Sequence, residues 1–124
     1  MRNQDENIVK TNFRNEFLTS ERCYISELLN EIYIEDVSLA IARVESGITT
    51  QLHSLKNIRE ILIFRKGTGI LEIKGKRHRV QPKDRVIVPP NAPQRVTNDG
   101  LIDLEFYCLC TPSFRPEYYQ NLEK

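Results

Sequence analysis

Gly47-Ile-Thr-Thr-Gln-Leu-His53-Ser-Leu55-Lys-Asn-Ile-Arg-Glu60-Ile-Leu-Ile-Phe-Arg-Lys-Gly67 is the stretch from which the fold is read. It sets two short apolar runs, TTQLHSL and REILIFRK, between glycines that read as turns. Side chains in a strand alternate between faces, so residues 51, 53 and 55 share one face, and residues 60, 62 and 64 share another. Outward from this stretch the pattern repeats. VSLAIARV precedes it, and GILEIK, KRHRVQ, RVIVPP, QRVTN and DLEFYCLC follow, rich in Val, Ile and Leu. Turn residues divide them at Glu45 to Gly47, Lys66 to Gly69, Gly75-Lys76, Pro82 to Asp84, Pro89 to Pro93 and Asn98 to Gly100. A strand and turn every 8–12 residues or so is the pattern of a β-sandwich or barrel. No run after residue 37 sustains a helical stripe, so this region is all-β.

The segment before it reads two ways. Ile25, Leu28, Leu29 and Ile32 fit a helical face capped by Thr19 or Ser20, while Cys23, Ile25, Glu27 and Leu29 fit a strand. The expected organisation is a polar arm over residues 1–18, a strand or helix over 19–36, a barrel over 37–112 and a tail over 113–124.

A chain of 124 residues and 14.5 kDa is long enough for one domain with its own core, needing neither disulfide nor metal to fold. Its 40% hydrophobic and 28% charged residues exclude collagen-like, low-complexity and mostly disordered classes. No apolar run approaches the length of a membrane span, and the polar opening MRNQDENIVKTNFRN lacks the apolar core of a signal peptide. Three cysteines, Cys23, Cys108 and Cys110, make an odd set without a CxxC pair. With no secretion signal they point to the reducing cytoplasm and to small core side chains, with redox or metal roles secondary. In a strand, Cys108 and Cys110 share a face.

The net charge of +1 conceals a strong segregation. Residues 1–36 carry eight acidic groups against four basic ones, and residues 56–95 carry eleven basic groups against three acidic. A basic middle suits nucleic acid or an anionic small molecule. The simpler reading pairs it with the acidic termini, and no aromatic residues interleave with the charges to make a stacking platform. Nucleic acid and membrane are therefore not expected partners.

The stretch Gly47 to Gly67 also resembles the first cupin motif, G-x5-H-x-H-x(3,4)-E-x6-G, with Leu55 in place of the second His. Lys83-Asp-Arg-Val-Ile-Val-Pro89-Pro-Asn91-Ala-Pro-Gln94-Arg-Val-Thr-Asn98 resembles the second, G-x5-P-x-G-x2-H-x3-N. There Pro89 and Asn98 match, while Lys83, Asn91 and Gln94 replace both glycines and the His. Over residues 19–112 the chain is similar to small stand-alone bacterial cupins, often named sugar-phosphate isomerase-like by analogy. The resemblance implies a double-stranded β-helix, or jelly-roll barrel, with His53, Leu55, Glu60 and Gln94 facing inward at the positions where metal-dependent cupins hold Fe, Mn, Ni or Zn. It also implies a homodimer, with residues 15–36 as the candidate interface.

Deleting one imidazole and exchanging another for an amide weakens a transition-metal site. Two readings stay open. His53, Glu60 and Gln94 hold a divalent metal as a reduced ligand set, or they form a metal-free polar floor in which His53 and Glu60 share a charge-assisted hydrogen bond. With Asn98 they make the ligand-binding set for a polar carbohydrate-like or carboxylate molecule. If chemistry occurs, His53 and Glu60 are the acid/base pair of an isomerase- or epimerase-type step. An oxygenase-like metalloenzyme and a non-catalytic sensor are the alternatives. Phe64 and Tyr107 are candidates to plug the barrel. His78, in a basic hairpin, reads as a surface residue, and Arg95 as outward-facing.

Overall fold

The computed structural model describes residues 7–13 and 15–123. Eleven strands follow in chain order: β1 (Phe17–Leu18), β2 (Tyr24–Leu29), β3 (Ser38–Val44), β4 (His53–Leu55), β5 (Arg59–Lys66), β6 (Gly69–Ile73), β7 (Lys76–Val80), β8 (Arg85–Val88), β9 (Gln94–Thr97), β10 (Leu104–Thr111) and β11 (Tyr119–Asn121). They form one sheet in the order β1-β2-β3-β10-β5-β8 and a second in the order β11-β4-β9-β6-β7. All pairings are antiparallel, and the chain crosses repeatedly between the two sheets. This is the all-β architecture expected from the strand spacing, in the jelly-roll form that the resemblance implies.

The core fills part of the barrel interior. Val44, Phe64, Leu71, Val88 and Leu104 are almost wholly buried there, and the Phe64 ring packs on Phe106 at 4.9 Å. The inward parity of Glu60, Leu62 and Phe64 is as read from the sequence, because each lies on the buried face of β5.

The ambiguous segment takes the strand form. β2 pairs with β3 in the register Ile25↔Ala42, and Cys23 and Ile25 line the barrel cavity together with the exposed Glu27. Sheet pairing decides between two local patterns of equal quality. Of the expected arm, residues 1–6 and 14 lie outside the described residues, residues 7–13 are exposed, and Phe17–Leu18 form β1. The expected tail also differs. A short 3-10 turn over Pro116–Tyr118 leads into β11, which pairs with β4 as Tyr119↔Leu55 and Asn121↔His53.

The two glycine positions of the second motif keep a left-handed backbone without glycine, with φ of 79° at Lys83 and 68° at Asn91. Asn tolerates this conformation better than Lys does. Asn91 is also held at both ends. Its N–H donates to Leu55 O at 3.0 Å, and its Oδ1 accepts from Asn57 N at 2.9 Å. The Pro89 to Pro93 turn is thereby tied to the β4–β5 connection, which fixes where β9 begins and where Gln94 stands.

The basic middle finds acidic partners nearby. Arg79 pairs with Asp99 at 2.8 Å, Arg65 and Lys66 with Glu105 at 3.7 Å, and Arg95 with its outward-facing cross-strand neighbour Glu72 at 2.7 Å. His78 is exposed. Among the described residues no helix is long and apolar enough to cross a membrane.

Gly67 and Gly75 both have φ near 80°, but their surroundings differ. A Cβ at Gly67 would sit 2.4 Å from the Asp103 carbonyl oxygen, whereas one at Gly75 would meet nothing within 4 Å. Gly75→Ala is expected to cost about 1 kcal/mol from backbone conformation alone. Gly67→Ala adds a backbone clash and is expected to cost roughly 2–4 kcal/mol. Urea denaturation of both variants checks this, and equal losses would remove the clash argument.

Candidate functional site

Within the barrel, bordered by the core residues Leu62, Leu71 and Phe106, lies a cavity of about 310 Å³. Its wall is mainly apolar, with Ile25, Leu55, Leu62 and Val96 among the lining residues, and a few polar groups converge on it. Neither of the side chains considered as plugs closes it: Phe64 lies in the core, and Tyr107 is not among the lining residues.

Glu60, on β5, is only 9% exposed. From the opposite sheet Gln94 Nε2 donates to Glu60 Oε1 at 2.8 Å, and Cys110 Sγ lies 3.8 Å from Glu60 Oε2. Burial pushes the Glu60 carboxyl above the ordinary carboxylate value, opposed by the charge of His53 and by the Gln94 hydrogen bond. The shift disposes Glu60 toward its protonated form, and Oε2, the oxygen that Gln94 leaves, accepts from the Cys110 thiol.

His53 stands next to Gln94 as its register partner across β4 and β9. Its Nδ1 is 2.8 Å from Gln51 O. A carbonyl only accepts, so Nδ1 donates, which leaves Nε2 as the ring nitrogen that can meet a ligand. Tyr119 stacks on the imidazole at 4.9 Å with the planes 15° apart, and Tyr119 Oη donates to Gln51 Oε1 at 2.7 Å. Burial raises the pKa of this phenol, which keeps it a donor. Glu21 Oε2 lies 3.8 Å from His53 Nδ1, and Cys23 Sγ donates to Glu21 Oε1 at 3.2 Å.

The expected hydrogen bond between His53 and Glu60 is not among those of the described residues. Gln94 takes Glu60, while Gln51 and Glu21 take His53. The structure does bring His53, Glu60 and Gln94 to one cavity. It does not bring Asn98 there. Asn98 is wholly buried and spends its amide on Val44 O at 2.9 Å, Ile102 O at 2.8 Å and Gly100 N at 2.9 Å, holding the turn after β9.

Sequence reasoning missed Glu21 and Tyr119. Neither lies in a motif, and each reaches His53 only through pairing of distant segments. A clasp holds both in place. The Glu21 carbonyl accepts from Gln51 N at 3.0 Å, Arg22 Nε donates to Thr49 O at 2.9 Å, and Arg22 pairs with Glu123 at 2.6 Å. The cysteines are not core filling alone, since all three line the cavity. Burial raises their pKa values, so they stay protonated and are poor nucleophiles or ligands in that form.

The donor chemistry fits a transition metal poorly. Leu55 offers no donor, Gln94 turns its amide nitrogen to Glu60, and Glu60 is disposed toward protonation. Among the described residues no three His, Cys, Asp or Glu side chains form a metal-holding group.

Comparison with known proteins places these features in context. A family profile described as cupin domain matches residues 40–110, more than half of the chain. Uncharacterized protein MJ1618 of Methanocaldococcus jannaschii is 29% identical over 120 residues, covering 94% of this chain and 96% of that protein. Among solved structures, a Streptomyces PAC13 variant with uridine superposes with a TM-score of 0.77 at 13% identity, over 94% of this chain and 91% of that one. PAC13 is described as a nucleoside dehydratase. A "predicted oxalate decarboxylase" of Thermotoga maritima gives a TM-score of 0.67 at 21% identity, over 73% of this chain and 80% of that one. At these identities the structural likenesses show a shared fold.

The Glu60 shift has a consequence for stability. A carboxyl whose folded pKa is raised favours the folded state below its unfolded value of about 4.5, and that contribution is lost as pH rises through the folded value. Glu60→Gln keeps an acceptor for Gln94 and removes the buried charge. The variant is expected to melt higher than the parent near pH 8, with its advantage disappearing toward about pH 4. Thermal melts across that range check it, and a variant less stable at the alkaline end would contradict the assignment.

Proposed function

The chain belongs to the cupin domain family, and on that premise we propose that its barrel binds an uncharged, hydroxyl-rich small molecule of carbohydrate or nucleoside type around His53 and Glu60. The observation that carries this reading is the convergence on one cavity of His53, whose Nδ1 is held by Gln51 O, and of Glu60, whose carboxyl is raised by burial. A cavity of about 310 Å³ with an apolar wall and few convergent polar groups suits a small ligand. Its charges weigh against an anionic one. Glu21 and Glu27 line it, while the lining cation Arg95 is paired with Glu72 at 2.7 Å. Phosphate esters and carboxylates therefore meet repulsion, and hydroxyl groups meet hydrogen-bond partners.

In an isomerase- or epimerase-type step, His53 takes a proton at Nε2 while Glu60 delivers one from Oε2 to a substrate oxygen. Gln94 positions the carboxyl, and Tyr119 and Gln51 hold the ring. Retention of polar partners on every buried side chain of the described residues supports a preorganised floor. The same floor serves a binding protein without turnover, and the experiment separates the two.

Uridine, ribose and uridine 5′-phosphate are suitable probes. Calorimetric titration is expected to show binding of the neutral compounds and at least tenfold weaker binding of the phosphate ester. His53→Ala is expected to lower affinity for the neutral probes by about tenfold, the loss of one buried hydrogen bond, while the fold persists by circular dichroism. Tighter binding of the phosphate ester would reverse the charge argument. Product formation abolished by His53→Ala supports the enzyme, and saturable binding without product supports the sensor.

Metal analysis tests the remaining alternative. Protein purified without chelator or affinity tag is expected to carry well under one transition metal per chain, and chelator dialysis is expected to leave its melting temperature unchanged. One tightly held metal per chain, released in Glu60→Ala, would return His53, Glu60 and Gln94 to the role of ligands.

A further inference from the structure

We propose that the cavity holds a second subsite, an apolar slot floored by Ala40 and Cys108 that takes a flat ring attached to the hydroxyl-bearing part of the ligand. The slot rests on the reading that hydroxyl groups settle around His53 and Glu60. It narrows that reading to molecules of nucleoside or aryl-glycoside type, in preference to free sugars.

The strand registers build the floor. Ser38, Ala40 and Ala42 face inward from β3 and meet Cys110, Cys108 and Phe106 of β10 as their register partners. Ala42 and Cys110 are 1% and 4% exposed, yet Ala40 and Cys108, their neighbours along the strands, are only half-buried. β3 and β10 are interior strands of their sheet, so an inward side chain there opens only to the cavity, which both residues line. Their exposure therefore marks interior space that no side chain of the described residues fills. Apolar groups surround it. Leu62 is the next residue across in the Cys108 row, Phe106 stands in the adjoining row, and Val96 lines the cavity from the second sheet. Phe17, the register partner of Ile25 on the edge strand β1, lines the cavity while 51% exposed, so an aromatic ring stands at its mouth.

The floor is offset from the polar groups by a distance that suits two linked rings. Glu60 and Leu62 are the partners of Cys110 and Cys108 across β5, so the slot lies two residues, about 6.6 Å, along the strands from the carboxyl. A ligand whose hydroxyls meet Glu60 and His53 thus lays a directly attached ring over Ala40 and Cys108. Hydroxyls placed there would lose hydration without a good partner, since alanine offers none and a thiol a weak one. A flat ring loses nothing of that kind and gains dispersion contacts with the walls. Burial keeps the Cys108 and Cys110 thiols protonated, and neutral sulfur is a soft, polarizable surface for a ring face. Glu27, the register partner of Ala40, lines the cavity from an exposed position, its Oε2 accepting from Asn30 Nδ2 at 2.6 Å. Its charge disfavours a ring that carries a carboxylate and favours one that carries N–H donors.

Two measurements test the slot, and the first needs no sugar. Phenol is expected to bind in the millimolar range and to shift the backbone amide signals of Ala40 and Cys108 in two-dimensional NMR spectra. Uridine and methyl β-D-ribofuranoside share a sugar and differ in the flat ring, and calorimetry is expected to show uridine binding tighter by about tenfold or more. Ala40→Leu fills the slot with apolar atoms. It is expected to stay folded by circular dichroism, to lose the phenol shifts and to bring the two ribosides within about twofold of each other. Cys108→Leu repeats the test from the neighbouring strand. Amides of Ala40 and Cys108 that stay unmoved in tens of millimolar phenol overturn the slot. So do equal affinities of the two ribosides for the parent chain, or phenol shifts and a preference for uridine that survive in a folded variant. Phenol shifts at Ala40 and Cys108 without binding of either riboside uphold the slot and overturn instead the docking of hydroxyls at His53 and Glu60.

Discussion

The hydrogen bond from Gln94 to Glu60 reaches from one sheet to the other through the interior of the barrel. A carboxyl placed among Leu62, Val96 and Leu55 loses most of its hydration, and the geometry around it compensates. The β9 strand must begin where the amide can reach β5, which the Pro89 to Pro93 turn arranges through Asn91 and the β4–β5 connection. Once Gln94 is committed to Glu60, His53 beside it needs other company. Gln51, Glu21 and Tyr119 supply it.

That sequence of constraints explains how a motif can wear while its architecture survives. The glycines of the second motif are gone, yet Lys83 and Asn91 hold the same left-handed turns. The backbone conformation is imposed by what the turns connect, and the residue bears a modest strain in return. The inward positions changed more deeply. Leu55 joins a small cluster with Ile58 and Cys110, turning a place for a metal donor into packing. Gln94 exchanges a titratable ring for a fixed amide. The donors left at these positions suit hydrogen bonding better than coordination.

Alternation of apolar residues and the spacing of turns made the barrel legible, because a two-residue period survives substitution of particular side chains. Residues 19–36 resisted for a physical reason: their apolar spacing satisfies both periods, and only the free edge of β3 selects the strand. The inward direction of His53, Glu60 and Gln94 followed from parity. Their partners did not. Glu21 and Tyr119 meet His53 across 32 and 66 positions of chain, and no local pattern encodes such a meeting. Asn98 shows the converse limit. Parity put it on the right face, but its amide is consumed by carbonyls of Val44 and Ile102, a structural duty that a motif position alone does not reveal.

The eleventh strand gives the molecule an unequal distribution of cooperativity. β11 is three residues long, lies at the edge of its sheet and hydrogen-bonds to β4, itself only three residues long. The core strands β3, β5 and β10 are seven or eight residues long and share long ladders. Edge segments of this kind open with far smaller free energies than the global unfolding of a domain. Fraying of β11 would carry Tyr119 off the imidazole while leaving the barrel closed elsewhere. Amide exchange at Tyr119 to Asn121 would therefore report on excursions of the His53 environment that the protection of the barrel strands conceals, and any molecule that settles against His53 would slow that exchange first.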